Sequence, residues 1–188
     1  MNAHAGSFHA QVVDRTLGTL DPAAAIEFVT DPGFGGLAVF IGRVRDLNHG
    51  RVVTGISYDM FDALALNGFD RIMQQALADF GPTLKLYVAH ARGRLAIGEL
   101  AVVVAAGSPH RDEAFRACRQ VIEAVKHTSP IWKREHYQDG SSEWSEGCTL
   151  CESVPVPAAA TPVIECAAAH AHRHERGGSA DGVAVAGG

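Results

Sequence analysis

Between residues 7 and 144 the apolar positions switch several times between a spacing of two and a spacing of three to four, and beyond residue 152 neither spacing continues. A period of two marks a strand with one buried face, and a period of 3.6 marks a helix with one apolar stripe. A chain that mixes the two, with at least one hairpin, is expected to pack helices on a sheet as an α+β fold rather than a regular βαβ wind. The organisation read from this is one folded domain over residues 1–152 and a tail over 153–188. The tail holds no aromatic residue and is rich in Ala, Pro, Gly and His. It has little to bury and is expected to be disordered.

Within the domain, residues 7–17 read as a strand. Asp21 before Pro22 reads as an N-cap with proline at the first helical position, opening a helix to residue 29. Residues 36–45 form a largely buried strand, ended by the turn-rich DLNHGR. A strand over 52–60 puts Ile56, Tyr58 and Met60 on one face, and a long helix over 62–80 stops at Gly81-Pro82. Strands follow over 84–91 and 100–106, linked by ARGRLAIGE. Ser108 and Pro109 then cap a helix to about residue 127. Residues 132–137 and 142–144 flank Gln138-Asp139-Gly140, a hairpin signal.

Composition excludes several classes. The formal charge of −5 leaves no electrostatic footprint for nucleic acid. The first twenty residues lack the apolar core of a secretory signal. The apolar stretch over 100–106 is far too short to span a bilayer, so a cytoplasmic protein is expected. Four cysteines, three of them near or in the tail, do not make a disulfide framework.

Chemistry is suggested by the lysines. The chain has only three, and two of them, Lys126 and Lys133, lie seven residues apart in VKHTSPIWKRE. Arginine keeps its proton in a protein; lysine can shed it where burial or another cation disfavours the charge. On the 109–127 helix Phe115, Cys118, Ile122 and Val125 read as the buried stripe, with Arg111 and Lys126 on or beside it. Lys126 therefore either snorkels at the helix end, favoured by the dipole, or lines a pocket. At the other end, Gly107, Ser108, His110 and Arg111 fall where a strand runs into a helix N-terminus, an arrangement of free N–H groups and a guanidinium suited to phosphate. Capping alone also accounts for Ser-Pro there. In the 132–137 strand, alternation puts Lys133 and Glu135 on one face, as a cross-strand ion pair or a proton-handling pair.

The segments FIGRVRDLNHG, GRLAIGE, SPHRDEAFRACR and KHTSPIWKRE together resemble the large, catalytic subunit of molybdopterin synthase, the MoaE family, over about residues 8–144. The resemblance implies a hammerhead-like mixed fold with an antiparallel subdomain. It also implies a homodimer whose outer ends each bind a small ubiquitin-like sulfur carrier ending in a Gly-Gly thiocarboxylate. The reaction implied is sulfuration of cyclic pyranopterin monophosphate, twice, to the molybdopterin dithiolene, with no cofactor required. Carried over by position, Lys126 matches the lysine beside the carrier's terminal glycine and Lys133 the catalytic lysine of PxWK. Arg45, His110 and Arg111 match the substrate's anion-binding set, Phe40 a pocket wall, and Glu135 a supporting residue. Asp59 and Phe61 depart from the family pattern at the start of the long helix, where they are expected to alter packing more than chemistry.

The tail is a second departure. Cys148, Cys151, Cys166 and His170 offer zinc-type ligands, but a proline-rich gap and irregular histidine spacing make solvated low complexity the better reading. Gly187-Gly188 resembles a carrier terminus, yet no compact domain presents it. Of the alternatives, a non-catalytic module that binds a carrier tail or a phosphorylated pterin would not need the paired amines. A nucleotide or phosphosugar transferase would lack its phosphate-binding fingerprint.

Overall fold

The computed structural model describes residues 6–144. The expectations for residues 145–188, including the domain boundary, the disordered tail and the zinc-type ligands, lie outside the described residues.

The order is β1 (Phe8–Asp14), α1 (Pro22–Val29), β2 (Gly36–Arg43), β3 (Leu47–Asn48), β4 (Arg51–Met60), α2 (Asp62–Phe80), β5 (Lys85–Leu95), β6 (Leu100–Ser108), α3 (Arg111–Thr128), β7 (Ile131–Tyr137) and β8 (Ser142–Trp144). The fold is α+β, as expected. Its sheet runs β2-β6-β5-β4-β7-β8, with β1 beside β5 and β3 beside β4. Only the β1–β5 pairing is parallel among the described strands. Among the described residues no helix is long and apolar enough to cross a membrane.

Strands β5 and β6 divide the interior. Leu86, Val88, Val102, Val104 and Ala106 face α2 and α3, while Tyr87, Ala89, Val103 and Ala105 face the side on which Ala25 and Val29 of α1 pack. Both faces are covered, so nearly every residue of β6 is buried. Asp21 caps α1 as its sequence implies, accepting from Ala23 N–H at 2.8 Å. The bounds of α2 and β8 are those expected from sequence.

Four expectations need correction. Strand β5 runs on to Leu95 through the segment read as a linker, because Gly93, Arg94 and Leu95 pair with Tyr58, Ser57 and Ile56 of β4. Helix α3 starts at Arg111 with His110 as its N-cap. Ser108 stays in β6, paired with Gly36, since the residue before a proline is pushed to extended conformation. Strand β2 is not largely buried: it lies at the end of the strand order, and Leu37, Val39 and Ile41 are each about 40 % exposed. Phe115 is 63 % exposed, and the buried stripe of α3 runs instead through Ala114, Ala117, Cys118, Val121, Ile122 and Val125. The alanines let the helix axis approach the sheet closely, which leaves the phenylalanine one position outside the contact.

Candidate functional site

Strand β7 carries the central group. It pairs with β4 so that Tyr58 lies opposite Lys133 and Ile56 opposite Glu135. Alternation sends Lys133, Glu135 and Tyr137 to one face. Glu135 is buried, and its two oxygens are used differently. Oε1 pairs with Lys133 Nζ at 2.7 Å. Oε2 accepts from the Tyr137 hydroxyl at 2.7 Å and from Asn48 Nδ2 at 2.6 Å. Burial pushes this carboxyl's pKa up, but hydrogen bonds from Lys133, Tyr137 and Asn48 outweigh it and hold the group below its ordinary value.

Behind this group stand Tyr58 and His90, whose rings meet edge to face at 4.9 Å. Burial, and then the charge of Glu135, push the Tyr58 phenol up to about 12. Burial pushes His90 down to about 4, against its hydrogen bond to Ala91. With Nδ1–H donated to the Ala91 carbonyl at 2.8 Å, His90 is a neutral packing residue rather than an acid.

Lys126 is exposed at the end of α3, off the buried stripe. Its Nζ sits 5.7 Å from the centroid of the half-buried Phe40 ring on β2, a cation–π arrangement. Arg45 lies two residues past β2 in an open groove of about 530 Å³, with Arg43, Asp46, Leu47 and Ile97 among its walls. Arg43 Nε donates to the Gly98 carbonyl at 2.8 Å across this groove. Neither lysine lines it.

His110 and Arg111 are exposed at the N-terminus of α3, where His110 makes no side-chain cap bond. The start of β2 fits closely there: Gly35 N–H donates to the Pro109 carbonyl at 3.2 Å. A Cβ at Gly36 would lie 2.8 Å from Arg111 Cα, so only glycine allows the approach.

Of the residues singled out from sequence, the structure brings Lys126 against Phe40 and Lys133 against Glu135. Five residues on from Phe40 is Arg45, and three further on is Asn48, which hydrogen-bonds Glu135. His110 and Arg111 stand apart. Fifteen residues of helix, about 22 Å, separate Arg111 from Lys126, and side chains on a helix lean the same way along its axis, so the two do not converge. Asn48 and Tyr137 were not singled out. Alternation from Lys133 and Glu135 pointed to Tyr137; nothing local pointed to Asn48.

Comparison with known proteins gives the family. A family model described as MoaE protein matches residues 16–128. The chain is 44% identical over 140 residues to a molybdopterin synthase catalytic subunit of Synechococcus elongatus, covering 74% of this chain and 85% of that one. The chain belongs to the MoaE family. Among solved structures, molybdopterin synthase from Staphylococcus aureus superposes with a TM-score of 0.66 at 29% identity, over 71% of this chain and 94% of that one. A protein–protein complex of subunits 1 and 2 of molybdopterin-converting factor from Helicobacter pylori superposes with a TM-score of 0.59 at 26% identity, over 73% and 90%. MoaE relatives are catalytic subunits, and this MoaE chain is an enzyme.

Proposed function

We propose that this MoaE chain is the catalytic subunit of molybdopterin synthase, acting in the cytoplasm. It moves two sulfurs, one from each of two C-terminal thiocarboxylates of a small ubiquitin-like carrier subunit, to cyclic pyranopterin monophosphate, giving the dithiolene and leaving each carrier with a carboxylate. The observation that carries this reading is Lys133: an amine held at 2.7 Å by a buried carboxylate, which Asn48, the residue after Leu47 of the groove wall, also holds. Transfer brings a thiocarboxylate to an electrophilic pterin carbon, opens the cyclic phosphate and moves protons at each step. A fixed amine beside the reacting sulfur stabilises the negative charge that develops and can hand over or take up a proton. Lys126, exposed beside Phe40, is suited to meet the carrier's terminal carboxyl group. Arg45 offers a guanidinium to the substrate's phosphate, and the start of α3 at His110 and Arg111 offers the helix dipole and a guanidinium to an anion. Because His110 and Arg111 lie at the opposite end of α3 from Lys126, a homodimer would supply them from its other copy. No metal or cofactor is called for.

The test is product formation when the purified chain is mixed with thiocarboxylated small subunit and cyclic pyranopterin monophosphate. Lys133→Ala is expected to abolish the dithiolene product while leaving carrier binding largely intact. Near-normal turnover in that variant would sink the assignment.

A further inference from the structure

Asn48 is the only residue of the β3–β4 hairpin that touches the Lys133 group through a side-chain hydrogen bond among the described residues. The hairpin is built to aim it. Asn48 pairs with Arg51 across a two-residue turn made by His49 and Gly50, with φ of 48° and 78°. Both lie in the left-handed region that such a turn needs, and His49 is the one non-glycine residue to adopt it among the described residues. Arg51 then lays its guanidinium 3.5 Å from the centroid of the Tyr137 ring. The hairpin is therefore clamped on Tyr137 and, through Asn48, on Glu135. Both donors reach the same oxygen, Oε2, so the carboxylate cannot rotate and Oε1 stays directed at Lys133.

We propose that Asn48 is a positioning residue for Lys133, acting through Glu135, and that it ties the orientation of the amine to the groove segment that begins at Arg43. This rests on the reading of Lys133 as the reacting amine. The competing role is a structural staple that pins the hairpin to β7 without influence on the lysine.

The chain's three lysines make the two roles separable. In protein labelled with ¹³C at lysine Cε, Lys85, Lys126 and Lys133 give three signals, assigned by Lys→Arg substitution. Lys85, paired with Asp31 at 3.1 Å, serves as the internal control. In Asn48→Ala the Lys133 signal is expected to shift while that of Lys85 stays. In the synthase assay kcat is expected to fall about tenfold, the order of one charge-assisted hydrogen bond, with KM nearly unchanged. Asn48→Asp, equal in size but setting a second carboxylate against Glu135, is expected to move the signal further. Should Asn48→Ala fail to fold, Asn48→Asp carries the test, and a Lys133 signal that stays in place there overturns the proposal. A Lys133 signal that stays in place while only the melting temperature drops overturns the proposal in favour of the staple. Shifted signals in a chain whose wild type makes no product would support positioning and overturn instead the functional reading of the site.

Discussion

Glu135→Gln is the substitution most informative about the network, because it keeps volume and removes charge. Three donors converge on the native carboxylate: Lys133, Tyr137 and Asn48. A glutamine amide has one acceptor oxygen and a donating NH₂, so at least one donor must face another donor. The amide oxygen, placed where Oε2 was, still accepts from both Asn48 and Tyr137 while the NH₂ faces Lys133, but each of those two bonds loses its charged acceptor, about 1 kcal/mol apiece. The lost ion pair adds about 1 kcal/mol or less, since the Lys133 side chain is 34% exposed and can turn to water. The expected loss is about 2–3 kcal/mol out of a typical total of 5–15. Urea unfolding at fixed protomer concentration measures it. The gap should also depend on pH, with a definite sign. Glu135's pKa is lowered in the folded chain from an ordinary 4.5. The stability it contributes is therefore full above the unfolded-state value and is lost as pH falls through the lower folded value. Glutamine does not titrate, so acidification should bring wild type down towards the variant. A variant as stable as wild type at pH 7, or a gap that stays constant as the pH falls below 4.5, would refute the reasoning.

Phe115→Ala should cost under about 1 kcal/mol, whereas Ile122→Ala on the buried stripe should cost about 2–5, as read from thermal melts; equal losses would return Phe115 to the interior. Chains carrying Lys133→Ala and chains carrying Arg111→Ala should each be inactive alone. Mixed by co-expression they should regain about a quarter of wild-type turnover if each site draws on both copies of a dimer. No recovery would place Arg111 and Lys133 in the same copy's site.

What was legible in the sequence is what local chemistry determines. Asp21-Pro22 and Gly81-Pro82 start and stop helices through groups within a few residues, and α1 and α2 have the bounds those signals imply. The alternation of β7 put Lys133 and Glu135 on one face, and they are in contact. The failures are of another kind. Whether Gly93–Leu95 is strand or linker depends on β4, more than thirty residues earlier in the chain, lying alongside. The rotational setting of α3 depends on how closely Ala114 and Ala117 allow the sheet to approach, which a count of apolar positions does not contain. The Asn48–Glu135 bond joins positions 87 residues apart, and an asparagine in a turn-rich segment reads as turn chemistry until the partner strand is in place.

The two lysines that drew attention by being close in sequence are supported in opposite ways. Lys126 ends a helix and rests on the Phe40 ring, a contact that leaves the ammonium accessible and free to move. Lys133 is fixed from a strand by a carboxylate that is itself fixed by two further donors. Fixing an amine costs side-chain entropy, and a network that meets that cost in advance makes geometric sense where a reacting group must be within a fraction of an ångström of its target. An exposed amine on an aromatic ring is better suited to a partner that arrives and leaves, because the cation can exchange the ring for a carboxylate with little desolvation. On the proposed reaction the division is then one of mobility: Lys126 meets the carrier's end, and Lys133 waits where the sulfur must be delivered.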